Sequence, residues 1–199
     1  MSKHGYALVK SLTDGFNSTL LCAKLSGENV GSRVAVKRFE MRGMNHRDAL
    51  QENMRWAQVR HPYILRCVCF VENSVLFIAF DYCEGGTLSQ RIRKVKSLRK
   101  ALGEEQILRW FTQALLALKH IHEQRILHRD LKPSNFFLSS SFTLKLRGVC
   151  EPVKSECAIH AAGTPYYSFS PEIITGKPYT WTCDMWSMGC VLFEMCALK

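Results

Sequence analysis

The spacing of apolar residues changes once along the chain, and that change restricts the fold more than any single motif does. As far as Phe80 the apolar residues mainly alternate or gather in short β-branched runs; beyond Asp81–Gly86, "DYCEGG", they recur mainly at helical spacing, apart from a hairpin expected after residue 135 whose second arm is Thr143–Arg147. Ala7–Leu12 and Thr19–Leu25 flank the turn residues Thr13-Asp14-Gly15 and Asn17-Ser18, which predicts a hairpin. Arg33–Phe39, "RVAVKRF", predicts another strand. Arg47–Val59 predicts the one helix of this half, with Leu50, Met54 and Ala57 on one face and Pro62 stopping it. Ile64–Val71 and Val75–Phe80 predict a second hairpin around Glu72-Asn73-Ser74. Past the two-glycine linker, Ile107, Phe111, Ala114, Leu118 and Ile121 recur three and four apart, an amphipathic helix of about five turns. The closing stretch "CDMWSMGCVLFEMCALK" is apolar nearly all round, which predicts a helix buried on every side. The expected architecture is α+β, with a β-rich lobe over 1–80, a hinge over 81–86 and a mainly helical lobe over 87–199.

Length and composition fit that division. A chain of 199 residues with an apolar share of 47% can bury a real core in one domain or a two-lobed one. The opening MSKHGYALVK has no apolar signal-peptide core, and runs such as Val75–Phe80 fall far short of the roughly 20 residues a membrane helix needs, so no membrane span is expected. Nine cysteines, an odd count scattered through apolar segments, read as reduced thiols filling the core. Cys67 and Cys69 would share one face of a strand, where a zinc site is the alternative to packing. The formal charge of +10 raises nucleic acid or an acidic membrane as partners. Six of the ten residues of RIRKVKSLRK (91–100) are Lys or Arg, but no aromatic residue is interleaved and no nucleic-acid module surrounds them. A solvated basic face is the expectation, with a docking patch for an acidic partner as the alternative, and nucleic acid is not expected as a partner.

The loop after the long helix reads HRDLKPSN (128–135), which sets an acid, a lysine and an amide at close spacing. With "VAVK" upstream, "DYCEGGTLSQRI" at the linker, and "GTPYYSFSPEI" and "KPYTWTCDMWSMGCVLFEM" downstream, the chain resembles the eukaryotic protein kinases. Among them it is most similar to the NIMA-related Ser/Thr kinases, and the likeness spans the whole chain. The resemblance implies a two-lobed kinase fold that uses ATP and magnesium to phosphorylate protein substrates. It implies that Asp130 accepts or orients the substrate hydroxyl, that Lys132 steadies the transferred phosphoryl group and that Asn135 ligates one magnesium ion. Thr164 would bridge the acid and the lysine. Lys37 would neutralise α- and β-phosphates and pair with Glu52. Phe80 would gate the pocket, the backbone of Asp81 and Cys83 would hold adenine, and Leu12, Leu20, Ala35 and Phe137 would sandwich the ring. His128 reads as a packing and hydrogen-bonding residue beside Arg129, and Asp184 as the buried acid that holds the loop's backbone. Cell-cycle, centrosomal or ciliary roles in cytoplasm or nucleus follow from the family alone.

Three departures from the family pattern qualify the expected activity. The glycine-rich loop keeps only Gly15 of three glycines, with Thr13 and Ser18 at the other two places, so backbone N–H groups approach phosphates less closely. Where the family places Asp-Phe-Gly, this chain has Gly148-Val149-Cys150; Glu151 is the nearest carboxylate, and Arg147 sets a cation beside the gap. The family's helical lobe also continues for several helices that would cover the closing apolar helix and pair an arginine with Glu172. The lobe is therefore expected to be incomplete, with a partner covering it or the chain being a truncated product. Ser155 and Thr164 are candidate phosphorylation sites. Three readings remain: a pseudokinase-like domain acting by binding, a slow but active Ser/Thr kinase, and a fragment with no function of its own.

Overall fold

The computed structural model describes residues 1–13, 18–27, 29–40, 54–148, 165–177 and 180–198. Two compact units emerge, one from Met1–Arg60 and Arg66–Tyr82, the other from His61–Leu65 and most of the chain from Cys83 onward.

The first unit is a five-stranded antiparallel sheet in the order β1-β2-β3-β5-β4. Its strands are β1 (Tyr6–Thr13), β2 (Thr19–Lys24), β3 (Arg33–Glu40), β4 (Cys67–Glu72) and β5 (Val75–Asp81). Alternation in β3 turns Val34 and Val36 to one side, where they pack with Tyr6, Cys22, Phe77 and Ala79. Of the helix expected over 47–59, the described residues 54–58 are helical, and Trp56 in that turn is buried. The strand expected from Ile64 begins only at Cys67. Ile64 belongs to the second unit: its N–H donates to His61 O after the turn at Pro62, and it makes an isolated bridge to Leu146 of that same unit.

The second unit is mainly helical. Helix α1 (Leu88–Ser97) starts at a capping box in which Thr87 and Gln90 satisfy each other's backbone N–H. Leu88, Ile92 and Val95 are its buried stripe, whereas Arg93, Lys94, Lys96, Arg99 and Lys100 of the basic run are exposed. Helix α2 (Glu104–Glu123) buries Ile107, Trp110, Ala114, Ala117, Leu118 and Ile121. A hairpin of β6 (Phe136–Leu138) and β7 (Leu144–Leu146) packs against it. The Trp110 indole donates to Phe142 O at 2.8 Å, and Gln113 Oε1 accepts the Leu144 N–H at 2.8 Å. Two short turns, α3 (Pro165–Ser168) and α4 (Pro171–Ile174), precede α5 (Thr182–Ala197).

The closing helix corrects one expectation. Cys183, Asp184, Ser187, Met188, Val191 and Met195 are buried, but Trp186 is 46% and Phe193 63% exposed. With Tyr166, Tyr167, Gly189, Cys190 and Glu194 they line an open groove of about 690 Å³. The helix is held by the face it buries; on its second apolar face, among the described residues, Tyr166 and Tyr167 of α3 flank Trp186 and Phe193 but leave them exposed.

Candidate active site

The loop from Ile126 to Asn135 connects α2 to β6 and is fixed from beneath by Asp184, in the first turn of α5. One carboxylate oxygen of Asp184 accepts the Arg129 N–H at 2.8 Å; the other accepts the His128 N–H at 2.9 Å and lies 2.8 Å from His122 Nε2. Burial works to raise the pKa of this fully buried acid, but the His122 and backbone hydrogen bonds outweigh burial and hold the carboxyl below its ordinary range. Arg129 carries φ +63°, so the chain turns sharply where the two amides converge on one acid.

His128 is completely buried, and its hydrogen bonds define its tautomer. Nδ1 accepts the Asp130 N–H at 3.4 Å, and Nε2 lies 2.8 Å from the carbonyl oxygen of Arg147, which can only accept. The proton therefore sits on Nε2, and burial keeps the neutral ring's pKa below its usual value. His128 thus ties the loop to the end of β7 and performs no proton transfer in this position.

On the other side of the loop stand Asp130, Lys132 and Asn135. Lys132 Nζ is 2.9 Å from Asp130 Oδ2, both side chains about a quarter exposed. Asn135, the last residue of a 3₁₀ turn that Pro133 opens, is 2% exposed and donates both amide hydrogens to Asp130, to its carbonyl oxygen at 2.6 Å and to Oδ2 at 2.9 Å. Its Oδ1 then accepts from Arg147 Nη2 at 2.6 Å. Sequence reading set Arg147 merely beside the site. The hairpin register, Phe136 opposite Leu146, continues outward to an Arg147 N–H bond on Asn135 O and so brings the two side chains together. Gly148 follows, buried and without a side chain to add to this group. Asp130 Oδ1 and Arg147 Nε are buried and find no hydrogen-bond partner among the described residues.

Other residues singled out from sequence fall as follows. In the sheet unit Ala35 pairs with Phe80, and Lys37 lies between Thr19 and Ile78, its Nζ 4.4 Å from the Phe39 ring centroid. Leu12 sits at a β-bulge and is 40% exposed. Leu20 departs from expectation: it pairs with Val36 and packs on the Val34–Val36 core, while Leu21 pairs with Ala35 and takes that side of the sheet. The Asp81 N–H donates to Arg66 O at 3.3 Å. In the helical unit Cys83 is buried, its carbonyl accepting the Gly86 N–H at 3.1 Å, and the Phe137 ring centroid lies 5.8 Å from the Arg147 guanidinium carbon. Glu172 accepts from Thr182 Oγ1 at 2.9 Å. Gly15, Glu52, Val149, Cys150, Glu151, Ser155 and Thr164 lie outside the described residues. Reading the sequence also missed His122 as a partner of Asp184; its place at the end of α2, directly before the loop, was the available signal.

A protein kinase domain family model matches residues 6–199. Mouse serine/threonine-protein kinase Nek1 is 42% identical over 178 residues, 85% of this chain and 14% of that protein. Mouse serine/threonine-protein kinase Nek5 is 38% identical over 201 residues, 98% of this chain and 31% of that protein. The chain is a protein kinase domain of the NIMA-related family. Rice serine/threonine-protein kinase Nek6, 34% identical over 96% of this kinase domain, extends the likeness to a plant. The domain spans well under half the length of these relatives, 36% in the rice protein. No helix among the described residues of this NIMA-related domain is long and apolar enough to cross a membrane.

Proposed function

We propose that this NIMA-related kinase domain keeps a nucleotide-binding fold but has lost efficient phosphoryl transfer, and acts on protein partners chiefly by binding. The observation that carries this reading is Gly148. It follows Arg147 at the end of β7, where the family pattern has an aspartate that bridges magnesium to the phosphates. A glycine offers no side-chain carboxylate, and among the described residues no cluster of three His, Cys, Asp or Glu side chains is placed to hold a metal ion. The donor set that remains suits magnesium poorly. Asn135 Oδ1 already faces a guanidinium, and Asp130 Oδ2 is shared between Lys132 and Asn135. Magnesium prefers oxygen donors in near-octahedral order, with one or two carboxylates among them. Kinase catalysis is almost entirely positioning and electrostatics, and loss of one preorganised charge-stabilising group costs about 10²–10³ in rate.

A slow but active Ser/Thr kinase is the second reading. The short contacts among Asp130, Lys132 and Asn135, and the unpartnered Asp130 Oδ1, favour it. One assay separates the two: transfer of labelled γ-phosphoryl from ATP to a Ser/Thr-bearing acceptor protein, with and without magnesium, using Asp130→Asn as the blank. The unaltered chain is expected to match the blank. Robust magnesium-dependent transfer that Asp130→Asn abolishes would refute the proposal.

A further inference from the structure

We propose that Arg147 is the resident cation of this site, and that it equips the domain to bind a nucleoside triphosphate free of metal. This rests on the nucleotide-binding reading above and deepens it.

The argument begins with the amide of Asn135. Both hydrogens are committed to Asp130, so the side chain cannot flip, and Oδ1 is the one atom it has left to offer. That oxygen is the donor the family resemblance assigns to magnesium. Here the Arg147 guanidinium occupies it at 2.6 Å, on a side chain whose own backbone is anchored twice, by N–H to Asn135 O and by C=O to His128 Nε2. The contact is therefore built into the hairpin and the loop together. A dication on the remaining lone pair of Oδ1 would stand against a fixed positive charge, with no carboxylate at Gly148 to offset it.

The charge balance then points to the ligand. Asp130 is matched by Lys132, whereas no carboxylate among the described residues pairs with Arg147, and its buried Nε–H has no acceptor there. A partly buried guanidinium with spare donors calls for an anion. Its planar fork of N–H groups matches phosphate oxygens in pairs. A triphosphate carrying its full negative charge, with no metal bound, is the chemical class that fits, and Arg147 does electrostatically what the dication would otherwise do.

This assignment yields a result opposite to the one Gly148 alone would suggest. Restoring the acid by Gly148→Asp should not restore a response to magnesium, because Arg147 still holds Asn135 Oδ1. Only Arg147→Leu combined with Gly148→Asp should do so. The test is equilibrium titration of the full chain with ATP and with adenosine, each in EDTA and in magnesium chloride. In EDTA the unaltered chain should bind ATP at least about tenfold more tightly than adenosine, and magnesium should not tighten it. Arg147→Leu should erase the ATP preference in EDTA, and Arg147→Lys should retain part of it. The double variant should gain at least about tenfold in ATP affinity from magnesium. Folding of each variant is checked by its thermal transition, and the comparison of ATP with adenosine on the unaltered chain needs no variant at all. If ATP binds equally well after Arg147→Leu, or if Gly148→Asp alone confers the magnesium response, the Arg147 assignment falls while nucleotide binding stands. If neither ATP nor adenosine binds under any condition, both fall.

Discussion

The two sides of the catalytic loop use neighbouring residues under different rules. On the inner side, the Asp184 carboxylate, the amides of His128 and Arg129 and both nitrogens of His128 meet partners of matching sense. On the outer side, Asp130 Oδ1 and Arg147 Nε have no partner among the described residues, and Lys132 and Asp130 are a quarter exposed. A buried polar group that loses its partner carries the full desolvation penalty, so the inner side answers to folding. Groups on the outer side can wait for a ligand or change their charge at small cost to the fold. The backbone path of the loop and the charges on its outer side therefore depend on different residues.

Asp184→Ala is the strongest attempt to break this contrast. It strands two backbone amides and His122 beneath the loop, and loss of a buried, hydrogen-bonded charge typically costs about 3–5 kcal/mol. The urea midpoint should fall accordingly, without a change in slope. A loss below about 1 kcal/mol would mean that the inner hydrogen bonds do not hold the loop.

What could be read from the sequence follows the same division. Helix α2 was legible because Ile107, Ala114, Leu118 and Ile121 mark a single stripe, and β3 because Val34 and Val36 alternate with Ala35 and Lys37. Such patterns are local and repeat every turn or every second residue. Leu20 was misjudged because a register one residue different moves a side chain to the opposite face, and no local pattern fixes register. The contact of Arg147 with Asn135 spans twelve positions and depends on the β6–β7 pairing, so the sequence announces the cation without its target. The exposed face of α5 was legible only through the family resemblance, which expected its covering helices to be missing; composition alone shows that a residue is apolar, not what lies over it.

Acid offers a gentler probe of the inner side. Folding holds the buried His128 ring neutral, with its pKa below the ordinary 6.5 it would regain on unfolding. The unfolded chain then binds the extra proton first, so stability is full above 6.5 and declines as pH falls below it, by at most about 1.4 kcal/mol per pH unit for one proton. His61 acts in the same direction, its pKa lowered by burial, His120 and Lys145. Asp184 belongs to a lower window, because its folded pKa is depressed below the ordinary 3.8. Urea melts at pH 7.5, 6.5 and 5.5 should show the decline in the unaltered chain. His128→Leu, weaker at neutral pH, should flatten it, and His61→Gln should remove part of the remainder. A curve equally steep after His128→Leu would assign the acid sensitivity elsewhere.

Asp130→Asn is the smallest expected effect and the sharpest use of the comparison, because it alters the outer side by one charge and almost no volume. The Asn135 amide keeps an oxygen to donate to, and Asp130's own carbonyl continues to accept its second hydrogen. What disappears is an ion pair with Lys132 that water reaches, worth about 0–1 kcal/mol. Against that loss, the change also relieves the unpartnered, charged Oδ1 of its desolvation. The melting temperature should therefore shift by no more than a few degrees in either direction. A loss approaching that of Asp184→Ala would show that the outer carboxylate is part of the scaffold, and the distinction between the two sides would no longer hold.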